Sequence, residues 1–188
     1  MLSTLNYHMK KLITILLLIS ILVLSGCGED GTIDQDNTNT DSSGKSINQD
    51  FSIEVPDGWQ ENQVSSSVFM YMVSGKVDPK EGIESMNILI TPAPSDLEID
   101  FKKTMQDTLK KIPNFIIIED STSINIGSTK GLKMKYEIDI TDQKMQYTQI
   151  LLNKFDNLYT ITYSCIGKEC QHEDDFNDMM DSFEPIQS

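Results

Sequence analysis

Between Leu132 and Thr141 the chain alternates without interruption: Leu132, Met134, Tyr136, Ile138 and Ile140 are separated by Lys133, Lys135, Glu137, Asp139 and Thr141. A period of two gathers the apolar side chains on one face of an extended strand, whereas a helix would scatter them around its axis. This stretch therefore reads as a strand with one face buried. Gly127 to Gly131 supplies turn chemistry before it, and Thr141-Asp142-Gln143 turns the chain into a strand from Lys144 to Asn153. A second turn at Asp156-Asn157 leads into Leu158 to Ile166, with Tyr159, Ile161, Tyr163 and Cys165 on one face. Three strands joined by short turns predict an antiparallel meander.

Shorter strands precede the meander. Phe51 to Val55 alternates and is stopped by Pro56-Asp57-Gly58, after which Trp59, the only tryptophan, reads as a bulky anchor closing one end of the core. Val68 to Val73 is apolar on both faces, which suits a strand inside a sheet. Met86 to Thr91 is another strand, ended by Pro92 and Pro94. The stretch between them, Ser74 to Ser85, reads as an exposed loop in which Pro79 bars regular pairing. Phe115 to Glu119 predicts a β-branched strand, with a weaker one near Ser123 to Ile126.

Two helices are predicted. Ser95-Asp96-Leu97-Glu98 is a capping box, and Leu97, Phe101, Met105, Leu109 and Ile112 then fall on one stripe ended by Pro113. A final helix runs from about His172 to Ser182; Phe176, Met179, Met180 and Phe183 form its apolar stripe, and Glu173, Asp174 and Asp175 suit its positive end. Antiparallel strands with these two helices predict an α+β fold, an antiparallel sheet flanked by helices. Met70, Met72, Met86, Met105, Met134 and Met179 occupy core positions of these elements and read as packing.

The amino-terminal part reads as an address and a tether. Lys10-Lys11 and the apolar run Leu12 to Leu24 end in Leu24-Ser25-Gly26-Cys27, the lipobox pattern of a bacterial lipoprotein. Met9-Lys10-Lys11-Leu12 is a more natural start than Met1. The run is short of the roughly 20 apolar residues that cross a bilayer, so the expectation is a signal peptide over residues 1–26, cleaved before a lipidated Cys27. Acyl chains there would anchor the protein to the outer face of the cell membrane without a spanning helix. Residues 27–49 are Gly, Asp, Asn, Thr, Ser and Gln with few apolar residues, a composition for a disordered tether reaching roughly 25 Å. Residues 50–188 form the folded domain.

Two motifs in the tether fail inspection. Gly44-Lys45-Ser46 resembles the end of a phosphate-binding loop, but its first glycine position is Asn39. Asp34-Gln35-Asp36 resembles the start of a calcium loop, but its sixth and twelfth positions are Asn39 and Lys45.

A formal net charge of −14 argues against nucleic acid and against anionic headgroups as partners. Beyond the leader there is one histidine, His172, and no G-x-S-x-G elbow, so the expectation is a protein without catalytic residues. Cys170 lies two residues from His172, but sequence neighbours seldom form a catalytic dyad. With Cys27 lipidated, Cys165 and Cys170 remain as an even pair outside the cytoplasm. They are read either as a disulfide pinning the turn between them or as two free thiols. Cys165, Cys170 and His172 lack a fourth metal ligand, and Asp174, Asp178 and Asp181 read as a solvated helix face, so neither a metal nor a cofactor is expected.

The order of elements resembles the PsbP-like family. Phe51-Ser52-Ile53-Glu54-Val55-Pro56-Asp57-Gly58-Trp59 is similar to that family's opening strand-Pro-x-Gly-Trp signature. The strand near Asn87, the helix, the meander and a last helix ending Asp181-Ser182-Phe183 follow in the family's order. The family includes the extrinsic PsbP subunit of photosystem II and DcrB-like bacterial lipoproteins. The resemblance covers about Asp50 to Pro185 and implies an α/β/α sandwich that serves as an accessory or binding subunit. It implies no catalytic residues to transfer. The expectation is thus a membrane-anchored, non-enzymatic module that binds an envelope protein; the alternative is a lipoprotein that binds a small solute or metal in a pocket between sheet and helix.

Overall fold

A computed structural model describes residues 45–47, 49–74, 84–93, 112, 114–140, 143–166 and 170–187. The strands, in chain order, are β1 (Lys45–Ile47), β2 (Phe51–Glu54), β3 (Trp59–Ser65), β4 (Val68–Val73), β5 (Ser85–Pro92), β6 (Phe115–Ile126), β7 (Thr129–Ile140), β8 (Gln143–Lys154), β9 (Asn157–Ile166) and β10 (Glu184–Pro185). One helix, α1 (Glu173–Ser182), lies between β9 and β10. Seven strands form one antiparallel sheet in the order β3-β4-β5-β9-β8-β7-β6, and β1-β2-β10 form a second. The leader, Cys27, most of the tether, the Ser95 capping box and nearly all of the stripe from Leu97 to Ile112 lie outside the described residues, as does most of the loop before Ser85.

The meander forms as its alternation requires. Leu132, Met134, Tyr136 and Ile138 of β7 pair with Leu151, Gln149, Tyr147 and Met145 of β8, placing one continuous set of side chains on one face. Tight turns hold the register. Phe155 and Asp156 both adopt positive φ (51° and 60°), the double left-handed geometry of a two-residue hairpin. Gly127, at φ 53°, is the one left-handed residue of the β6–β7 turn.

Here the structure departs from the sequence reading. The turn is complete before Thr129, and Gly131 lies inside β7. Its role there is close approach: a Cβ on Gly131 would lie 2.6 Å from the Leu151 carbonyl oxygen. The two strands expected over Phe115 to Ile126 are a single strand whose register shifts around Glu119.

The large sheet is buried on both faces: Met134, Tyr136, Ile138, Met145, Tyr147, Leu151 and Leu158 lie on one, and the larger cluster, which includes the helix, lies on the other. Phe69, Tyr71, Met86, Ile88, Ile150, Leu152, Tyr159, Ile161 and Tyr163 meet Phe176, Met179, Met180 and Phe183 from α1 and its C-cap. Phe51 and Ile53 of β2 join them, with the Phe51 ring 4.9 Å from Phe69 and 5.3 Å from Phe183. This contact overturns the expected α+β sandwich. The fold is mostly β, with two antiparallel sheets and one short helix among the described residues, and is not a sheet flanked by helices. The physical reason is that β2 offers a fully buried apolar edge that α1 alone would leave uncovered, so the layer opposite the large sheet is shared between a sheet and a helix. Lys45–Ile47, placed in the tether on composition, are recruited as β1 because β2 has a free edge to pair.

Candidate functional site

The strongest concentration of polar chemistry surrounds the N-terminus of α1. It begins at the opening motif. Gly58 takes φ 89°, which a side chain would resist, and the Trp59 N–H closes the turn onto the Pro56 carbonyl at 3.2 Å. Trp59 starts β3 with its ring in the core, and its Nε1–H donates to Asp175 Oδ2 at 3.0 Å. The same oxygen lies 2.8 Å from His172 Nδ1, and the His172 ring stands edge-on to Trp59 with centroids 6.1 Å apart. Trp59 is thus the core anchor its size suggests, with a polar tip joining the first strand of the large sheet to the last helix.

A second carboxylate supports the same helix end. His172 is the N-cap of α1 but makes no side-chain cap bond. Glu84, just before β5 and buried, takes that role from outside the helix. Its Oε1 accepts the Gln171 N–H at 2.5 Å, and its Oε2 accepts the His172 N–H at 2.9 Å together with the Tyr163 hydroxyl. Unsatisfied N–H groups and the dipole both favour an anion at this position. Burial, and then the bond to Glu84 and its charge, push the Tyr163 phenol above its ordinary range. Lys135 of β7 closes the far side, 2.8 Å from Glu173.

Cys165, at the end of β9, and Cys170 are joined as a disulfide with Cα atoms 5.5 Å apart. Cys165 is fully buried and Cys170 packs against the core. The bond ties β9 to the segment that donates its N–H groups to Glu84. Asp174, Asp178 and Asp181 are exposed on α1. Sequence reasoning singled out Trp59 as a core anchor, noted His172 without giving it a role and left Cys165 and Cys170 open between a bridge and free thiols, but missed Glu84 and Tyr163 as partners. Asp175, three residues after His172, carried the one local signal, since i and i+3 share a helix face.

His172 and Asp175 provide a base and the group that orients it. The neighbouring thiols are consumed in the disulfide, and among the described residues no hydroxyl hydrogen-bonds to the His172 ring. Among the described residues no group of three or more His, Cys, Asp or Glu side chains is arranged to hold a metal ion, and no helix is long and apolar enough to cross a membrane. What this geometry does is fix the end of α1 against both ends of the large sheet's sequence.

Hydrogen bonds from Trp59 and then His172 hold the Asp175 carboxyl below its ordinary value of 3.8, with burial opposing them. A carboxylate depressed in the folded state contributes stability above its unfolded pKa, and that contribution is lost as pH falls through the folded value. Asp175→Asn is therefore expected to flatten the acid limb of the stability curve below about pH 4. Because the side chain is about a third exposed, its cost at neutral pH should stay under about 1 kcal/mol. Urea unfolding at pH 3, 4 and 7 measures both; parallel curves for the two proteins would refute the assignment.

The arrangement defines a class: a β-rich domain whose opening Pro-x-Gly-Trp turn is bolted to a closing helix. The chain belongs to the family of PsbP-like proteins, whose family model matches residues 12–184. Solved structures show the same fold at low identity. PA94 of Pseudomonas aeruginosa, a protein of unknown function, matches with a TM-score of 0.55 and 16% identity, over 73% of this chain and 92% of its own. LpqN of Mycobacterium tuberculosis, described as involved in cell envelope biogenesis, matches at 0.52 and 13%, over 79% and 87%. The Ran-binding protein Mog1p of Saccharomyces cerevisiae matches at 0.52 and 11%, over 73% and 90%. No curated protein matches the chain in sequence.

Proposed function

We propose that this chain is a lipid-anchored accessory module of the cell envelope, held outside the membrane through Cys27 and working by docking an envelope protein rather than by catalysis. The observation that carries this reading is the span of the family match. It begins at residue 12, so the span it matches takes in the apolar run and Leu24-Ser25-Gly26-Cys27 as well as the folded domain, which supports reading them as one protein's leader, anchor and domain. The description of LpqN as an envelope-biogenesis protein supports the location, and that of Mog1p as a Ran-binding protein supports a binding role for the fold.

The docking surface we assign is the outer edge of β6. It is the last strand of the large sheet, and Ile116 and Ile118 are 53% and 45% exposed there. An open edge with β-branched side chains accepts an extended segment of another protein as an added strand. Glu119 on the same edge and the −14 net charge favour a segment bearing Lys or Arg over a second copy of this chain.

In-cell crosslinking of the full-length protein, with a photo-reactive residue at position 116, tests this. One dominant envelope protein should be captured, and the capture should disappear when the reactive residue is moved to Asp178 on α1. Equal capture of abundant background proteins from both positions would refute the docking role. Separately, Cys27→Ala is expected to release the protein from membranes or leave an uncleaved precursor. Normal processing with full membrane retention would refute the anchor.

A further inference from the structure

Lys135 stands between two carboxylates and serves only one of them. In the register of β6 and β7 it lies directly opposite Glu119, so the two side chains share a face of the sheet, with Cβ atoms roughly 5 Å apart. A lysine reaches that far with ease. Yet its Nζ donates to both oxygens of Glu173, in the first turn of α1, at 2.8 and 2.9 Å. Glu119 is exposed on the β6 edge and forms no ion pair among the described residues.

The choice has a physical reason. The Lys135 side chain is 15% exposed and that of Glu173 33%, so their attraction is screened less than a pairing with the exposed Glu119 would be. The helix end is also pinned. Glu84 accepts the N–H groups just before α1, and Asp175 is bound by Trp59 and His172, so Glu173 meets Lys135 from a fixed backbone. Neighbouring charges do not disturb the arrangement. Glu137, two residues along β7, is held by Lys144 at 2.7 Å, and Lys133, two residues the other way, lies opposite Thr122 and pairs with neither Glu119 nor Glu173.

We propose that Glu173 sets the specificity of the β6 edge: by holding Lys135 it leaves Glu119 unneutralised, and Glu119 then selects an added strand that carries Lys or Arg. The inference rests on the docking role of β6 and deepens it, because it places a determinant of partner choice on the helix rather than on the edge. Without the Glu173 carboxylate, Lys135 turns to the carboxylate opposite it. An incoming lysine or arginine then meets a neutralised pair, with Lys135 itself as a like charge.

The full chain, with a photo-reactive residue at position 116, would be exposed to two labelled peptides, one of alternating valine and lysine and one of alternating valine and glutamate. The otherwise unaltered protein is expected to be labelled by the lysine peptide in preference. Glu173→Ala should lower that labelling by roughly two- to fourfold, the worth of one exposed ion pair, and adding Lys135→Met should restore it. In a Glu119→Gln background labelling should already be low, and Glu173→Ala should change nothing further. Asp174→Ala removes the same charge from the next, exposed position of α1 and should have no effect, which separates the local arrangement from general attraction of a cationic peptide to an acidic protein. Equal labelling with and without Glu173→Ala, the lysine peptide still preferred, would overturn the proposal and leave the docking role standing. So would a loss in Glu173→Ala that Lys135→Met does not reverse, the pattern of a damaged helix. No labelling of the unaltered protein by either peptide would overturn the docking role itself, and this inference with it.

Discussion

Phe176→Ala is expected to destabilise the protein by about 3–5 kcal/mol, the range for deleting a fully buried aromatic side chain. Phe176 is 0% exposed and stacks on Tyr163 with centroids 4.9 Å apart and planes 10° from parallel. Its removal takes away apolar burial and also the surface that holds the Tyr163 ring against Glu84. Neighbouring strands are paired on both sides of Tyr163, so the backbone there is poorly placed to collapse into the cavity. At about 3 °C per kcal/mol for a domain of this size, the melting temperature should fall by roughly 10 °C. Phe176→Leu, which keeps most of the volume, should recover at least half of the loss. A fall under about 1 kcal/mol for the alanine variant would mean that α1 is not part of the cooperative core.

Glu84→Ala is the second large effect, at about 2–4 kcal/mol. It leaves the Gln171 and His172 N–H groups and the Tyr163 hydroxyl without their acceptor in a mostly buried place, and removes an anion from a helix N-terminus. The effect should exceed that of Tyr163→Phe, which removes one donor and leaves the carboxylate its two backbone partners. The two changes share one network, so they should not add; a double-mutant cycle should show a coupling of about 1 kcal/mol or more. Additive losses, measured by urea unfolding at neutral pH, would place Glu84 outside the support of α1.

Both predictions involve residues whose importance was unequally legible. The stripe Phe176, Met179, Met180 and Phe183 was readable at helical spacing, because residues three and four apart share a face in any helix. Nothing around Glu84 announces a cap: it precedes a strand, and its partners lie 79 to 88 residues away. Trp59 shows both cases at once. Its size marked it for the core, but its bond to Asp175 spans 116 residues and has no local signature.

The alternation of β7 to β9, the faces of their side chains and the apolar stripe of the last helix were decided by the sequence itself, since period and turn chemistry are properties of neighbouring residues. The tertiary structure alone decided what lies opposite the large sheet. Strand β2 was legible in its alternation and β1 is its near neighbour in the chain, but β10, two residues long, carries no period and pairs with β2 from the far end of the chain. The α+β expectation failed there. A short strand draws its stability from non-local pairing and burial, and neither is written in the residues on either side of it.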